Sequence, residues 1–135
     1  MPRALLFAYG TLLTTTGDNS LDEFIAHHTQ ALTDGYIHGH MYTLGHYPGV
    51  VPSANAKHKV YGKLLRLKGG RSTLRVLDRY EGIRGNDGRR SEYHRTQAAV
   101  YLSQRQRRVL AWVYFLNRPT RGLPVIASGR FGRIS

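Results

Sequence analysis

At 135 residues the chain has the usual length of one domain, enough to bury roughly two-thirds of its unfolded surface in a single core. Its 20 Lys and Arg against 8 Asp and Glu give a formal charge of +12, a field that attracts anions of any kind, nucleic acid included. The absence of cysteine excludes disulfides, thiolate metal ligands and a cysteine nucleophile, so any chemistry falls to carboxylate, hydroxyl or imidazole.

Residues 4–8 are nearly all apolar and read as a buried first strand, interrupted by Gly10 and Thr11. The apolar stretch is too short, and lacks the small-residue cleavage site, for a signal peptide. A cytoplasmic protein is expected. Ser20 and Glu23 have capping-box spacing and predict a helix over 21–30, with His28 continuing its apolar stripe as a partly buried surface residue. From 36 to 44 the residues Tyr36, His38, His40 and Tyr42 alternate with Ile37 and Met41, which predicts a strand with one wetter face. LGHYPGVVPS, at 44–53, concentrates proline and glycine and reads as a structured loop. Residues 60–67 resume a strand, and Gly69-Gly70 forms a turn. Leu74 and Leu77 set the spacing of a second helix over 72–81, which Gly82 is placed to stop. Segments 93–102 and 109–116 then predict a hairpin across the basic SQRQRR turn. The run 109–116 is the longest strongly apolar one and far below the roughly 20 residues of a membrane span. No repeat, low-complexity stretch or linker divides the chain, so residues 1–135 are treated as one domain.

Two features point to chemistry. Glu81 lies seven positions after Leu74 and four after Leu77, which puts all three on the inward face of the second helix. Burial and the negative end of the helix dipole both disfavour its charged form, so its pKa is expected above the ordinary carboxylate value. Such a group can take a proton and return it; the alternative is an internal ion pair with an arginine. The second feature is Tyr9-Gly10-Thr11-Leu12 after the first strand, where glycine permits close backbone approach and successive NH groups can converge on an anion. An ordinary strand-ending turn is the alternative.

Together, FAYGTLL, LGHYPGVVPS, LDRYEG and EYHR, in this order and at these intervals, resemble the gamma-glutamylcyclotransferase-like family. The likeness runs from about residue 5 to 131 and is strongest to its small bacterial branch, related to the gamma-glutamylamine cyclotransferases. It implies an α+β fold, a small barrel-like mixed sheet with flanking helices, and a substrate cavity between the first-strand loop and the second helix. It further implies that Tyr9, Gly10, Thr11 and Leu12 hold a gamma-glutamyl substrate while Glu81 transfers protons as 5-oxoproline forms, without metal or cofactor. Loop NH groups would bind the substrate carboxylate or the tetrahedral oxyanion. Tyr93 and Arg95, on one strand face by alternation, match the family's tyrosine and arginine and are candidates for the cavity wall, a structural role being the alternative. Lys63 departs from the family, where an acid often follows the glycine matching Gly62, and an arginine-rich insert follows Glu81. Both bear on substrate choice.

Three rival readings remain. Arg105, Arg107 and Arg108 offer phosphate contacts, but no nucleic-acid motif accompanies them, and the aromatic residues lie mostly within strands rather than between basic residues. Only weak, salt-sensitive nucleic-acid binding is expected. A metal site from His38, His40, His46 and His58 is a loose signal without a nearby carboxylate. A non-enzymatic ligand-binding protein would carry the same motifs, and turnover alone separates it from an enzyme.

Overall fold

The computed structural model describes residues 4–10, 19–45, 47–80, 93–103 and 107–131. In chain order the elements are β1 (Leu5–Ala8), α1 (Asn19–His28), β2 (Thr29–Thr43), β3 (Pro48–Pro52), β4 (Lys59–Leu67), α2 (Arg71–Tyr80), β5 (Tyr93–Leu102) and β6 (Arg108–Leu116). The sheet runs β3-β2-β4-β1-β6-β5, and a further pairing of β2 with β5 closes five of these strands into a barrel. Among the described strands only β1 and β6 run parallel, with Leu6 opposite Trp112, so the sheet is mixed. This is the expected α+β barrel with two helices.

Alternation builds the interior. Phe7, Ile37, Met41, Val60, Leu64, Val100 and Val113, drawn from every barrel strand, form one buried cluster, whereas Leu6, Ala8, Leu65, Tyr114 and Leu116 form a second with Leu74 and Leu77 of α2. Successive side chains on β1 and β6 thus serve two cores, one inside the barrel and one beneath the helix. The long β2 curls across the barrel and follows α1 without a break. Its first half, TQALTDG, has no strand pattern; pairing with β4 from Thr29↔Leu67 to His38↔Lys59 holds it, with a bulge between Ala31 and Thr33. The predicted start at 36 came too late because that pairing is non-local.

Two other boundaries differ from expectation. Helix α1 begins at Asn19, so Ser20 and Glu23 both sit within it and Ser20 does not precede its first turn as the capping-box reading expects. It ends at His28, whose Nδ1 donates to the Phe24 carbonyl at 2.8 Å and whose ring stacks on Phe24. The segment read as a loop at 44–53 contains β3, paired with β2 from Gly39↔Pro52 to Thr43↔Pro48. Prolines at both ends of β3 suit a strand at the sheet edge, and fully buried Val50 anchors it to the barrel interior.

Between β4 and α2 the chain reverses through Gly69 and Gly70, both at positive φ (82° and 50°), which glycine adopts without steric cost. The Thr73 hydroxyl donates to the Lys68 carbonyl beneath this turn and fixes the entry of α2. No described helix is long and apolar enough to cross a membrane.

Candidate active site

Helix α2 turns Thr73, Leu74 and Leu77 into the protein. Asp78, four residues after Leu74, continues this stripe at the edge of the second core. Its carboxylate receives Nε and Nη2 of Arg95 at 2.8 and 3.1 Å and the Tyr114 hydroxyl at 2.7 Å. The Arg95 guanidinium lies over the Trp112 ring, 4.5 Å from its centroid. With side-chain exposures of 24% for Arg95 and 20% for Asp78, the pair is largely withdrawn from solvent. A bidentate, stacked arginine of this kind holds geometry as well as charge.

From Tyr114 the connections continue to the first strand. The Tyr9 hydroxyl donates to the Tyr114 backbone carbonyl, so the residue that opens the glycine loop is tied, through Tyr114 and Asp78, to the last turn of α2. A second tie runs through Pro48: the buried Tyr93 hydroxyl donates to its carbonyl at 2.6 Å, and a side chain at Gly10 would approach its ring to 2.8 Å. The bare backbone of Gly10 accommodates a proline at this point. Of the residues singled out from sequence, Tyr9, Gly10, Tyr93 and Arg95 are therefore brought to one side of the barrel; Thr11, Leu12 and Glu81 lie outside the described residues.

Sequence reading passed over Asp78, Tyr114 and Pro48. For Asp78 a signal was present, since it shares the stripe of Leu74 and Leu77 in a chain with only 8 acidic residues. Tyr114 gave none, because it lies in an apolar strand and its partner is non-local. Arg95 has its guanidinium fork closed on Asp78, an arrangement that braces α2 against β5.

Tyr9 also lines a cavity of about 320 Å³ with Asp34, Tyr61, Lys63, Arg130 and Phe131, whereas Gly10, Tyr93 and Arg95 do not. At its mouth Lys63 and Asp34 form an exposed ion pair at 2.7 Å. Of the histidines considered as metal ligands, His38 stacks on Tyr101 and His40 packs on His58 with ring centroids 4.0 Å apart, while His46 lies outside the described residues.

Known proteins bear on this geometry. The family described as gamma-glutamyl cyclotransferase, AIG2-like, matches residues 6–133. The gamma-glutamylcyclotransferase family protein ytfP of Citrobacter rodentium is 31% identical over 126 residues, covering 93% of each chain. Its namesake YtfP from Escherichia coli K12 is 32% identical over 125 residues, covering 92% of each. The solution NMR structure of protein ytfP from Escherichia coli superposes with a TM-score of 0.65 at 31% identity, covering 95% of this chain and 96% of that one. An AIG2-like protein from Mus musculus superposes with a TM-score of 0.70 over 93% of this chain and 86% of its own, and at 20% identity it shares the fold.

Proposed function

Because the chain belongs to the gamma-glutamyl cyclotransferase, AIG2-like family, we propose that it cyclises a gamma-glutamyl amine or amide to 5-oxoproline and releases the amine, with Glu81 as general acid/base. The observation that best supports this reading is the register of α2. Leu74 and Leu77 are buried and Asp78 is bound to Tyr114, which in turn holds Tyr9; the assignment of Glu81, outside the described residues, to this stripe rests on its helical spacing from Leu74 and Leu77 in the sequence. The glycine loop and the helix end that precedes Glu81 are thereby linked.

The reaction needs little beyond positioning. The alpha-amino group and the gamma-carbonyl belong to one short chain and can close a five-membered ring. Glu81 takes a proton from the alpha-ammonium group, and the freed nitrogen attacks the gamma-carbonyl carbon. The ring nitrogen of the tetrahedral intermediate gives up its second proton to water, and as the intermediate collapses the bond to the departing amine breaks and Glu81 returns the first proton to that nitrogen, so that 5-oxoproline and the neutral amine leave. NH groups of the Tyr9-Gly10-Thr11-Leu12 loop hold the glutamyl moiety, and Tyr93 and Arg95 border the same side, Arg95 acting through Asp78.

The test is Glu81→Gln, which keeps the side-chain shape and removes the base. Across a panel of gamma-glutamyl amides, 5-oxoproline release is expected to fall at least about a hundredfold while ligand binding and the melting temperature hold. Turnover near that of the unaltered protein would remove Glu81 from the mechanism. A large drop in melting temperature, with no turnover by the unaltered protein on any substrate, would favour a structural ion pair instead.

A further inference from the structure

The outward face of the barrel where β5, β2 and β4 meet carries aromatic rings and cations that the proposed reaction does not use. Register explains the gathering. Tyr36 of β2 is paired directly with Tyr101 of β5 on one side and with Tyr61 of β4 on the other. Tyr36 and Tyr101 stack with centroids 5.3 Å apart and planes 17° apart, and Tyr61 adjoins Tyr36 at 5.9 Å with its ring tilted by 54°. His38 extends the row by stacking on Tyr101 at 4.5 Å. All four rings are partly exposed.

Two cations border the row. Lys59 Nζ lies 4.7 Å from the centre of the Tyr36 ring and the Arg130 guanidinium 4.0 Å from that of Tyr61. Both are exposed at the surface. A cation over an exposed ring is held weakly and moves aside at small cost. Tyr61 and Arg130 also flank the 320 Å³ cavity, whose one described carboxylate, Asp34, is bridged to Lys63. The whole chain carries +12, so an anion is drawn to the protein before any contact forms.

We propose that this face binds single-stranded nucleic acid without sequence preference, its bases stacking on the Tyr61, Tyr36 and Tyr101 row and its phosphates meeting Lys59 and Arg130. Aromatic platforms flanked by cations are how sheet and barrel proteins hold unpaired strands, because every base has a face to stack and every nucleotide a phosphate to neutralise. A duplex keeps its bases stacked on one another and offers only the charge. An acidic protein or inorganic polyanion would use the cations and leave the rings idle. Placement of the tyrosines within strands, which in the linear sequence separates them from the basic residues, is what brings them to one face once the barrel closes.

Fluorescence anisotropy with a 12-nucleotide oligo(dT), a DNA duplex and inorganic polyphosphate, at 50 and 200 mM salt, separates these cases. Oligo(dT) is expected to bind about tenfold or more tighter than polyphosphate of equal charge. Replacing both Tyr36 and Tyr101 by Leu is expected to remove that preference and leave polyphosphate binding unchanged. Replacing Lys59 and Arg130 by Gln is expected to weaken both and to lower the salt slope for oligo(dT) by about 1.4, two phosphates' worth for a single strand. Equal binding of oligo(dT) and polyphosphate, indifference to the tyrosine substitutions, or no binding at 50 mM salt would overturn the proposal. Should the tyrosine variant fail to fold, photo-cross-linking of a bromodeoxyuridine 12-mer to the unaltered protein reads the same contact. Adducts on Tyr36, Tyr61 or Tyr101 support it, and adducts confined to other segments, such as 105–108, overturn it.

Discussion

Strand β5 presents the same outward face at both ends, yet the two ends have opposite characters. At Arg95 that face is covered by α2, and the cation is stacked on Trp112 and matched to Asp78, whose carboxylate also accepts from the Tyr114 hydroxyl. At Tyr101, six residues further on, it meets Tyr36 and His38, with cations resting on ring faces and, among the described residues, no carboxylate paired to Lys59 or Arg130. Under a cover, polar groups must find partners within the protein, because a withdrawn charge without one is costly. In the open, water partners them and the same kinds of side chain stay available to a ligand. The covered end builds the scaffold of the proposed active site, and the open end offers a surface.

Removing the carboxylate at the covered end gives the largest expected effect on stability. Asp78→Ala leaves a largely buried guanidinium and the Tyr114 hydroxyl without their acceptor. Buried pairs cost about 3–5 kcal/mol when one partner is lost, and the residual exposure of this one reduces the expected loss to about 2–3 kcal/mol. Urea unfolding measures it. A loss below about 0.5 kcal/mol would mean that the covered end behaves like an ordinary surface and that the contrast between the two ends is one of appearance.

Arg95→Lys asks how much of that bracing is charge and how much is shape. Lysine keeps the charge next to Asp78 but cannot form the two-pronged contact or lie flat on Trp112, so a loss of about 1 kcal/mol is expected. If Arg95 braces α2 rather than touching substrate, the variant's KM for a gamma-glutamyl amide should hold while kcat falls with the positioning of the helix end. A raised KM with unchanged kcat would instead put Arg95 in contact with substrate.

Much of this contrast was legible in the sequence, and most of the illegible part depends on contacts between distant segments. The strands β1, β4, β5 and β6 and the inward stripe of α2 announce themselves through local periodicity, as does the wet face of β2 at Tyr36 and His38. The first half of β2 does not, because its strand state comes from partners such as Leu67 that lie far away in the chain, and β3 does not because its prolines and Gly49 read as a turn although its partners, from Gly39 to Thr43, are close by. The site divides likewise. Tyr9, Gly10, Tyr93 and Arg95 could be named from motif and alternation, but Asp78 as the partner of Arg95, Tyr114 as the link to Tyr9, and Pro48 as the neighbour of Gly10 depend on long-range packing. The same blindness applied to the tyrosines of the open face. Spacing shows that Tyr36, Tyr61 and Tyr101 point outward but not that they meet.

At the open end, the ion pair between Lys63 and Asp34 supplies the matching control and the smallest expected effect. Its 2.7 Å distance equals or betters those at Asp78, yet its side chains are 51% and 66% exposed. Distance alone would rank the two pairs together; solvent separates them. Water screens the attraction, and holding two long side chains in one geometry costs entropy, so Asp34→Asn is expected to change stability by no more than about 0.5 kcal/mol. Its consequence should appear in binding, since the substitution removes the negative charge that Lys63 faces beside the cavity and raises the local net charge by one. Polyphosphate affinity at 50 mM salt is then expected to rise severalfold, with most of the gain erased at 200 mM as screening grows. Urea midpoints and anisotropy titrations at the two salts test both halves. A destabilisation comparable to that of Asp78→Ala would show that burial is not what distinguishes the two ends of the barrel face.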